Sequence, residues 1–352
     1  MISFLKIKNY RGIKSCTIGD LKKVNVFIGR NNSGKSSLLE SLYLASASFN
    51  FNEVLSKKVE NKIDYLLNRR CFRGLKWGSA KEVLWYNYNT EVPITIELKM
   101  NSENLRIDLF EWHQHPLIKH KVNAYDYVCL IDKCLVNSRT HSVAFSDRFQ
   151  EFDKFKQFMS NFKFIDVSLM QEIDVIEKKL WKDLLKNRYD KLIVEVLREG
   201  YEIEVEDLTY TTYDEGRTYQ LAVKLPQTTI RVDDLGDGAR YSLILIMISA
   251  LSKNTVLLIE EPENHQHPSG LAKTFDMFLS LVKKNNIQVF ISTHSLDFLK
   301  LLKDISQKKE IDFGVYFLER NRDGIVDVRH LTGENIDVLE RMGFDPRFLD
   351  II

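Results

Sequence analysis

Four cysteines in 352 residues, Cys16, Cys71, Cys129 and Cys134, are too few and too scattered for a disulfide scaffold, and none stands at C-x-x-C spacing. They read as reduced thiols of a cytosolic protein. Excess charge is missing too. Fifty basic against forty-nine acidic side chains leave a net +1, which argues against a polybasic, histone-like mode of partner binding and gives nucleic acid no support from overall charge. Long apolar runs are absent: the most apolar stretch, Leu243 to Leu251, is about half of what a bilayer requires. Met1 to Lys8 alternates apolar and charged residues with a strand's period, whereas a signal peptide needs an unbroken apolar stretch. A cytoplasmic chain without a membrane span is expected. With no internal repeat or low-complexity linker, its length fits one large or two ordinary packed domains.

Against these absences, Val24 to Ser37 reads VNVFIGRNNSGKSS, a G-x-x-x-x-G-K-S motif. The apolar run before it has the character of a buried strand, and Leu38, Leu39, Leu42 and Tyr43 follow at helical spacing. Strand, loop and helix together make a phosphate site: backbone N–H groups of the loop, including those at Asn31, Asn32 and Ser33, wrap an anion at a helix N-terminus. Gly29 and Gly34 supply backbone freedom, Lys35 reaches the outer phosphates, and the Ser36 hydroxyl, followed by Ser37, completes a Mg²⁺ shell.

Residues 2–8 and 13–18 read as strands joined through Asn9 to Gly12, with Gly12 suited to the turn. Arg11 lies close to the phosphate loop along the chain. It has two readings, a phosphate or ribose contact and a solvent-facing turn arginine. From about Phe49 to Gly200 the pattern changes. A helix is expected over 53–70, and short strands at Val83–Asn87, Val92–Met100 and Leu105–Leu109 make an antiparallel patch. His113, His115 and His120 lack a Cys or carboxylate at ligand spacing, which favours a loop over a metal site. Phe149, Phe152, Phe155 and Phe158 form a core-facing stripe of a helix. A strand over Phe162–Val167 and a helix over Met170–Arg198 follow.

Glu204–Tyr213, Tyr219–Leu225 and Thr228–Val232 suggest a meander ending at Leu235-Gly236-Asp237-Gly238-Ala239-Arg240, a second glycine-rich turn that opens an apolar helix. Thr255 to Ile259 is then a buried strand running into Glu260-Glu261-Pro262-Glu263. Paired acids at a strand end suit a Mg²⁺-nucleotide site: Glu260 holds the metal and Glu261 takes a proton from an attacking water. Ile287–Ser292 is another apolar strand, ending at Thr293-His294-Ser295, where His294 is placed to donate to a γ-phosphate or position water.

These four motifs together resemble the ABC-type ATPases of the SMC and RecF kind, with the nearest likeness to OLD-family (overcoming lysogenization defect) ATPase domains. Ile7-Lys8-Asn9-Tyr10-Arg11-Gly12-Ile13 and Gly343-Phe344-Asp345-Pro346-Arg347 extend the resemblance to both ends of the chain. It implies an α/β P-loop fold with a two-lobed head: residues 1–49 and 201–352 as the ATPase core, and residues 50–200 as an inserted lobe packed on it. It also implies a homodimer or higher homo-oligomer in which ATP and Mg²⁺ on one phosphate loop meet Gly236, Asp237 and Gly238 of the partner. Glu260 would support the metal, Glu261 polarise water, and His294 serve as the switch histidine. Gln171, after the Phe162–Val167 strand, is the candidate for the family's glutamine near the metal. DNA, or a separate effector or nuclease protein, is the implied further partner.

This chain departs from that pattern at Gly236, where the signature usually carries Ser. A built-in Toprim nuclease is not expected, because residues 295–352 are too few for one. His265 and His267 sit in Glu-Pro-Glu-x-x-x-His-Pro, which favours a structural turn beside the dimer face over a metal cluster. A regulatory switch with little turnover is the second reading. A simple kinase or GTPase fits poorly, since about 225 residues separate Lys35 from Glu260 and such an enzyme has no use for the 235–240 turn.

Overall fold

The computed structural model describes residues 1–56, 58–59, 61–69, 73–101, 103–110, 128–131, 134–137, 155–213, 218–264 and 266–331. His113, His115, His120, Phe149, Phe152, His265, Cys71 and the 343–347 stretch lie outside the described residues. In chain order the strands are β1 (Ile2–Tyr10), β2 (Ile13–Ile18), β3 (Val24–Ile28), β4 (Ile94–Met100), β5 (Glu103–Phe110), β6 (Val128–Ile131), β7 (Cys134–Asn137) and β8 (Lys163–Ile165). They continue with β9 (Asp207–Tyr213), β10 (Thr218–Lys224), β11 (Thr229–Arg231), β12 (Val256–Glu260), β13 (Gln288–Ser292), β14 (Phe313–Arg320) and β15 (Ile325–Leu331).

Twelve of them form one mixed sheet, in the order β7-β6-β5-β4-β1-β2-β15-β14-β3-β13-β12-β8. From β8 to β14 every pairing is parallel. These strands are apolar on both faces, as a parallel sheet covered on each side requires. Val24, Val26 and Ile28 of β3 enter one core and Phe27 enters the other, and β12, β13 and β14 divide in the same way. Beyond β2 the sheet turns antiparallel through β1, β4, β5, β6 and β7. The 50–200 stretch thus supplies strands to both edges, β4–β7 at one and β8 at the other. β9, β10 and β11 make a separate three-stranded meander with the expected order.

The Asp237–Leu251, Pro268–Lys284 and Leu296–Lys308 helices cover one face of the parallel part. The Lys35–Ala47 and Lys62–Asn68 helices lie in the other core, with β1, β2, β4 and β5. Burying one Val, Leu, Ile or Phe side chain contributes roughly 1.5–3 kcal/mol. The fully buried β3, β12 and β13 therefore end in fixed positions, and the loops at those ends carry the site.

Several local expectations need correction. Among the described residues of the 53–70 segment, Lys62–Asn68 alone is helical. Asn61 caps that helix by accepting the Asp64 N–H at 2.7 Å, while the buried Glu53 carboxylate holds the preceding residues irregular by accepting the Leu55 N–H at 2.8 Å. Val83–Asn87 is no strand: two 3₁₀ turns, Lys81–Leu84 and Tyr86–Tyr88, flank Trp85, and Asn87 is left-handed at φ 51°. The expected Met170–Arg198 helix breaks at Arg188, φ 59°, into Ile173–Lys186 and Asp190–Tyr201. In the first turn, Asn9 and Arg11 take the left-handed φ, not Gly12. Phe155 is buried in the core and Phe158 packs against it. Among the described residues, no helix is long and apolar enough to cross a membrane.

Candidate functional site

The phosphate loop leaves the central strand β3 at Gly29, φ 143°, where a Cβ would collide with the Leu318 carbonyl. Gly34 is left-handed at φ 103° and starts the Lys35–Ala47 helix. No side chain caps that helix and no acid stands in its first turn, so its N–H groups and dipole face the loop unanswered. Lys35 is 5% exposed, and among the described residues its Nζ donates to the carbonyls of Gly29 and Arg30, each at 2.8 Å. Burial lowers its pKa to about 8, against the pull of Glu261, Glu260 and Glu263. Ser33 Oγ and His294 Nδ1 are buried without a hydrogen-bond partner among the described residues. A buried lysine on neutral carbonyls, an uncapped helix start and orphaned polar atoms together fit a polyphosphate.

Ser33, Gly34, Lys35 and His294 line a cleft of about 510 Å³, whereas Glu260 and Glu263 are not among its lining residues. It brings together Arg11, Asn31, Asn32, Ser33, Gly34, Lys35, Ser36, Ser37, Glu261 and His294, as the sequence suggested. Gly29 closes the loop behind them. The solvent-facing reading of Arg11 does not hold. Its side chain is 15% exposed, with Nε 2.5 Å from Glu40 Oε2 and Nη2 donating to the Leu66 carbonyl at 2.6 Å.

The two strand ends meet beside the loop. Glu261 is left-handed at φ 44°, and its N–H donates to the Ser292 carbonyl at 2.9 Å, locking the β12 exit onto β13. Glu261 Oε1 lies 3.2 Å from His294 Nε2, and Oε2 accepts from Asn264 Nδ2 at 2.9 Å. The hydrogen bond from His294, against partial burial, holds the Glu261 carboxyl below the usual range, so it is ionised at neutral pH. Glu263 fixes the histidine's backbone: its Oε1 accepts from Thr293 Oγ1 at 2.5 Å and from the His294 N–H at 3.1 Å. Glu260, at the end of β12, has a 19% exposed side chain, and its Oε2 pairs with Arg69. Ser36 and Glu260 offer a hydroxyl and a carboxylate, the hard oxygen donors that Mg²⁺ prefers, so the donor set fits that ion.

Other expected residues stand apart. Gly236, Asp237 and Gly238 are not among the residues lining the cleft. Gly236 and Asp237 are exposed, and nothing lies within 4 Å of a Cβ built on Gly236. Gln171 lies in the short Val167–Glu172 turn after β8, with its side chain outside the described part. His267 caps the Pro268–Lys284 helix, its Nδ1 paired with Ser269 Oγ at 2.8 Å. Among the described residues, no group of three or more His, Cys, Asp and Glu side chains could hold a metal.

Sequence reasoning missed several neighbours of the site. Val83, Trp85, Asn87, Tyr88 and Arg320 line the cleft. Trp85 and its neighbours were hidden by an apparent strand pattern, and Arg320 by its distance along the chain. Arg69, Glu40 and Asp166 form a buried charge cluster behind Glu260. No motif marks these three, which meet only through folding.

A phosphate loop on a central parallel strand, flanked by acidic and histidine-bearing strand ends, defines a P-loop nucleotide-binding protein. A family model described as an AAA ATPase domain matches residues 1–191 and 150–299, and the chain belongs to that family. An ATP/GTP phosphatase of Helicobacter pylori is 21% identical over 96% of this chain and 97% of its own length. The DNA replication and repair protein RecF of Francisella tularensis subsp. novicida is 30% identical over 104 residues, covering 30% of this chain and 26% of RecF. A crystal structure of an SMC head bound to the C-terminal winged-helix domain of ScpA matches 95% of this chain and 98% of that one, with a TM-score of 0.57 at 12% identity. The fold is thus that of an SMC- and RecF-like ATPase head.

Proposed function

We propose that this chain binds ATP with Mg²⁺ in the cleft, hydrolyses it, and closes with a second copy around the nucleotide. Bound magnesium would neutralise charge on the phosphate oxygens, with Ser36 and Glu260 as its protein ligands. Lys35 and the uncapped N–H groups hold the phosphates. Glu261 accepts the proton of the attacking water, and His294, hydrogen-bonded to Glu261 and anchored through Glu263, orients that pair. Gly236, Asp237 and Gly238 act on the partner's nucleotide. The observation that carries this reading is the buried Lys35 at an uncapped helix start, 2.8 Å from its own loop carbonyls. Within this reading, residues 1–49 and 201–352 form the ATPase core, and 50–200 is a lobe built into its edges.

An OLD-like setting in DNA repair or defence, with DNA or a separate nuclease as the load, is supported by the motif set and by the repair role in the name of RecF. Gly236 favours a second reading. Without the serine hydroxyl, closure outlasts turnover and the protein acts as a slow nucleotide-gated switch on a partner. ATP and GTP turnover by the full chain, with its mass measured by light scattering, separates these. Steady ATP hydrolysis supports the first reading, and ATP-dependent dimers with negligible turnover support the second. Failure to bind either nucleotide would contradict both.

A further inference from the structure

Arg69 follows the Lys62–Asn68 helix, outside every motif that reads as nucleotide chemistry, and its side chain is 2% exposed. A buried guanidinium is costly unless its donors are used. Here they reach carboxylates on three separate elements. Nη1 lies 2.5 Å from Glu40 Oε1 on the phosphate-loop helix, Nε lies 3.1 Å from Asp166 Oδ2 just beyond β8, and Nη2 pairs with Glu260 Oε2. The Phe164 ring packs against the guanidinium, its centroid 4.4 Å from Cζ. Tyr65 OH donates to Asp166 at 3.1 Å, and Arg11 Nε shares Glu40 at 2.5 Å.

Exposure sets one arm of this cluster apart from the other two. Glu40 is shared by Arg11 and Arg69, while Asp166 and Glu260 each take one arm of Arg69. Glu40 is fully buried and Asp166 nearly so, and both need a cation. Glu260, at 19% exposure, has solvent available and does not need one. The third arm of Arg69 is thus the one whose carboxylate also reaches solvent. It takes Oε2, while Oε1 accepts no hydrogen bond from the described residues.

We propose that Arg69 is the positioning residue of Glu260: it holds one carboxylate oxygen, fixes the carboxylate plane, and leaves the other oxygen for the divalent ion. This rests on reading the cleft as a Mg²⁺-nucleotide site. Carboxylates that bind metals are themselves held by hydrogen bonds, and loss of such a partner lowers metal affinity about 10–100-fold.

The test uses the full chain and a fluorescent mant-ATP probe, with affinities measured in EDTA and in excess Mg²⁺. Arg69→Lys keeps a buried cation but loses the three-way fork. In EDTA it should bind within about twofold of the parent, whereas the gain in affinity from metal should fall about 10–100-fold. Glu260→Gln should lose the same gain, with little further loss in the double variant, because members of one network are not additive. An unchanged metal gain in Arg69→Lys overturns the proposal. So does an equal loss with and without metal, or full additivity, since a structural staple gives those results. If Arg69→Lys fails to fold, hydrogen exchange of residues 62–69 in the parent decides. Slower exchange with ATP and Mg²⁺ than with ATP and EDTA is expected, and identical exchange overturns the coupling. A parent that binds no mant-ATP in either buffer instead removes the nucleotide reading on which the proposal stands.

Discussion

The Lys35–Ala47 and Asp237–Leu251 helices both begin behind a glycine, and both bury most of their residues against the sheet. Neither start has a capping side chain, and they differ in backbone, charge and surroundings. The first opens from a left-handed Gly34 with no capping side chain and no acid in its first turn, beside a buried lysine. The second opens from an extended Gly236, φ −59° and ψ 149°, carries Asp237 in its first turn and faces solvent. A helix start becomes a phosphate site when strand ends, a lysine and acids converge on it. The Gly236 start does not line the cleft of its own chain; in the proposed sandwich it would meet the cleft of a second copy.

The comparison can be broken most severely at the chemistry of the first start. Glu261→Gln keeps the shape of the side chain but accepts no proton, so hydrolysis should fall about 10²–10⁴-fold while ATP still binds. A parental rate in a turnover assay would remove Glu261 from its role. Lys35→Ala comes next. It removes a charged donor worth about 1.5–3 kcal/mol, so ATP affinity should drop about 10–100-fold in a chain that still melts cooperatively. Undiminished affinity by calorimetry would show that the anion binds elsewhere.

A pH series sharpens the same point with a smaller effect. Burial holds Lys35 at a pKa of about 8 in the free protein, and bound phosphates favour its charged form. Above pH 8 binding must therefore take up a proton, and affinity should weaken by up to about tenfold per unit as pH rises. Calorimetry at pH 9 in buffers of different ionisation enthalpy should register that uptake, and its absence would contradict the lysine contact. Gly236→Ser probes the second start. Open space at its Cβ position admits the side chain, and one new hydrogen bond of about 0.5–1.5 kcal/mol should raise ATP-dependent dimerisation or turnover roughly 2- to 10-fold. No change in either would leave the solvent-facing start without a role.

How much was legible in the sequence follows the same division. The strands that carry the site were visible because β3, β12 and β13 are continuous apolar runs ending in glycine, acids or histidine, a pattern set by burial on both faces. The 50–200 stretch was harder to read. Its helix before Asn61 is overruled by the buried Glu53 carboxylate, its apparent strand at 83–87 by the packing of Trp85, and its long helix by the left-handed Arg188. Tertiary contacts decide each of these, and periodicity does not record them. Arg69 illustrates the limit for function. Residues 40, 69, 166 and 260 are widely spaced along the chain and meet only after β8 has joined β12.

Light scattering of Glu261→Gln with ATP and Mg²⁺ tests the central claim most directly, because a nucleotide that is bound but not hydrolysed should hold two starts of different kinds together. The account predicts a mass of twice the chain's 41.2 kDa, reverting to the monomer when EDTA or Gly238→Asp is introduced. A protein that retains ATP without hydrolysing it, yet stays at the monomer mass, would contradict the shared site.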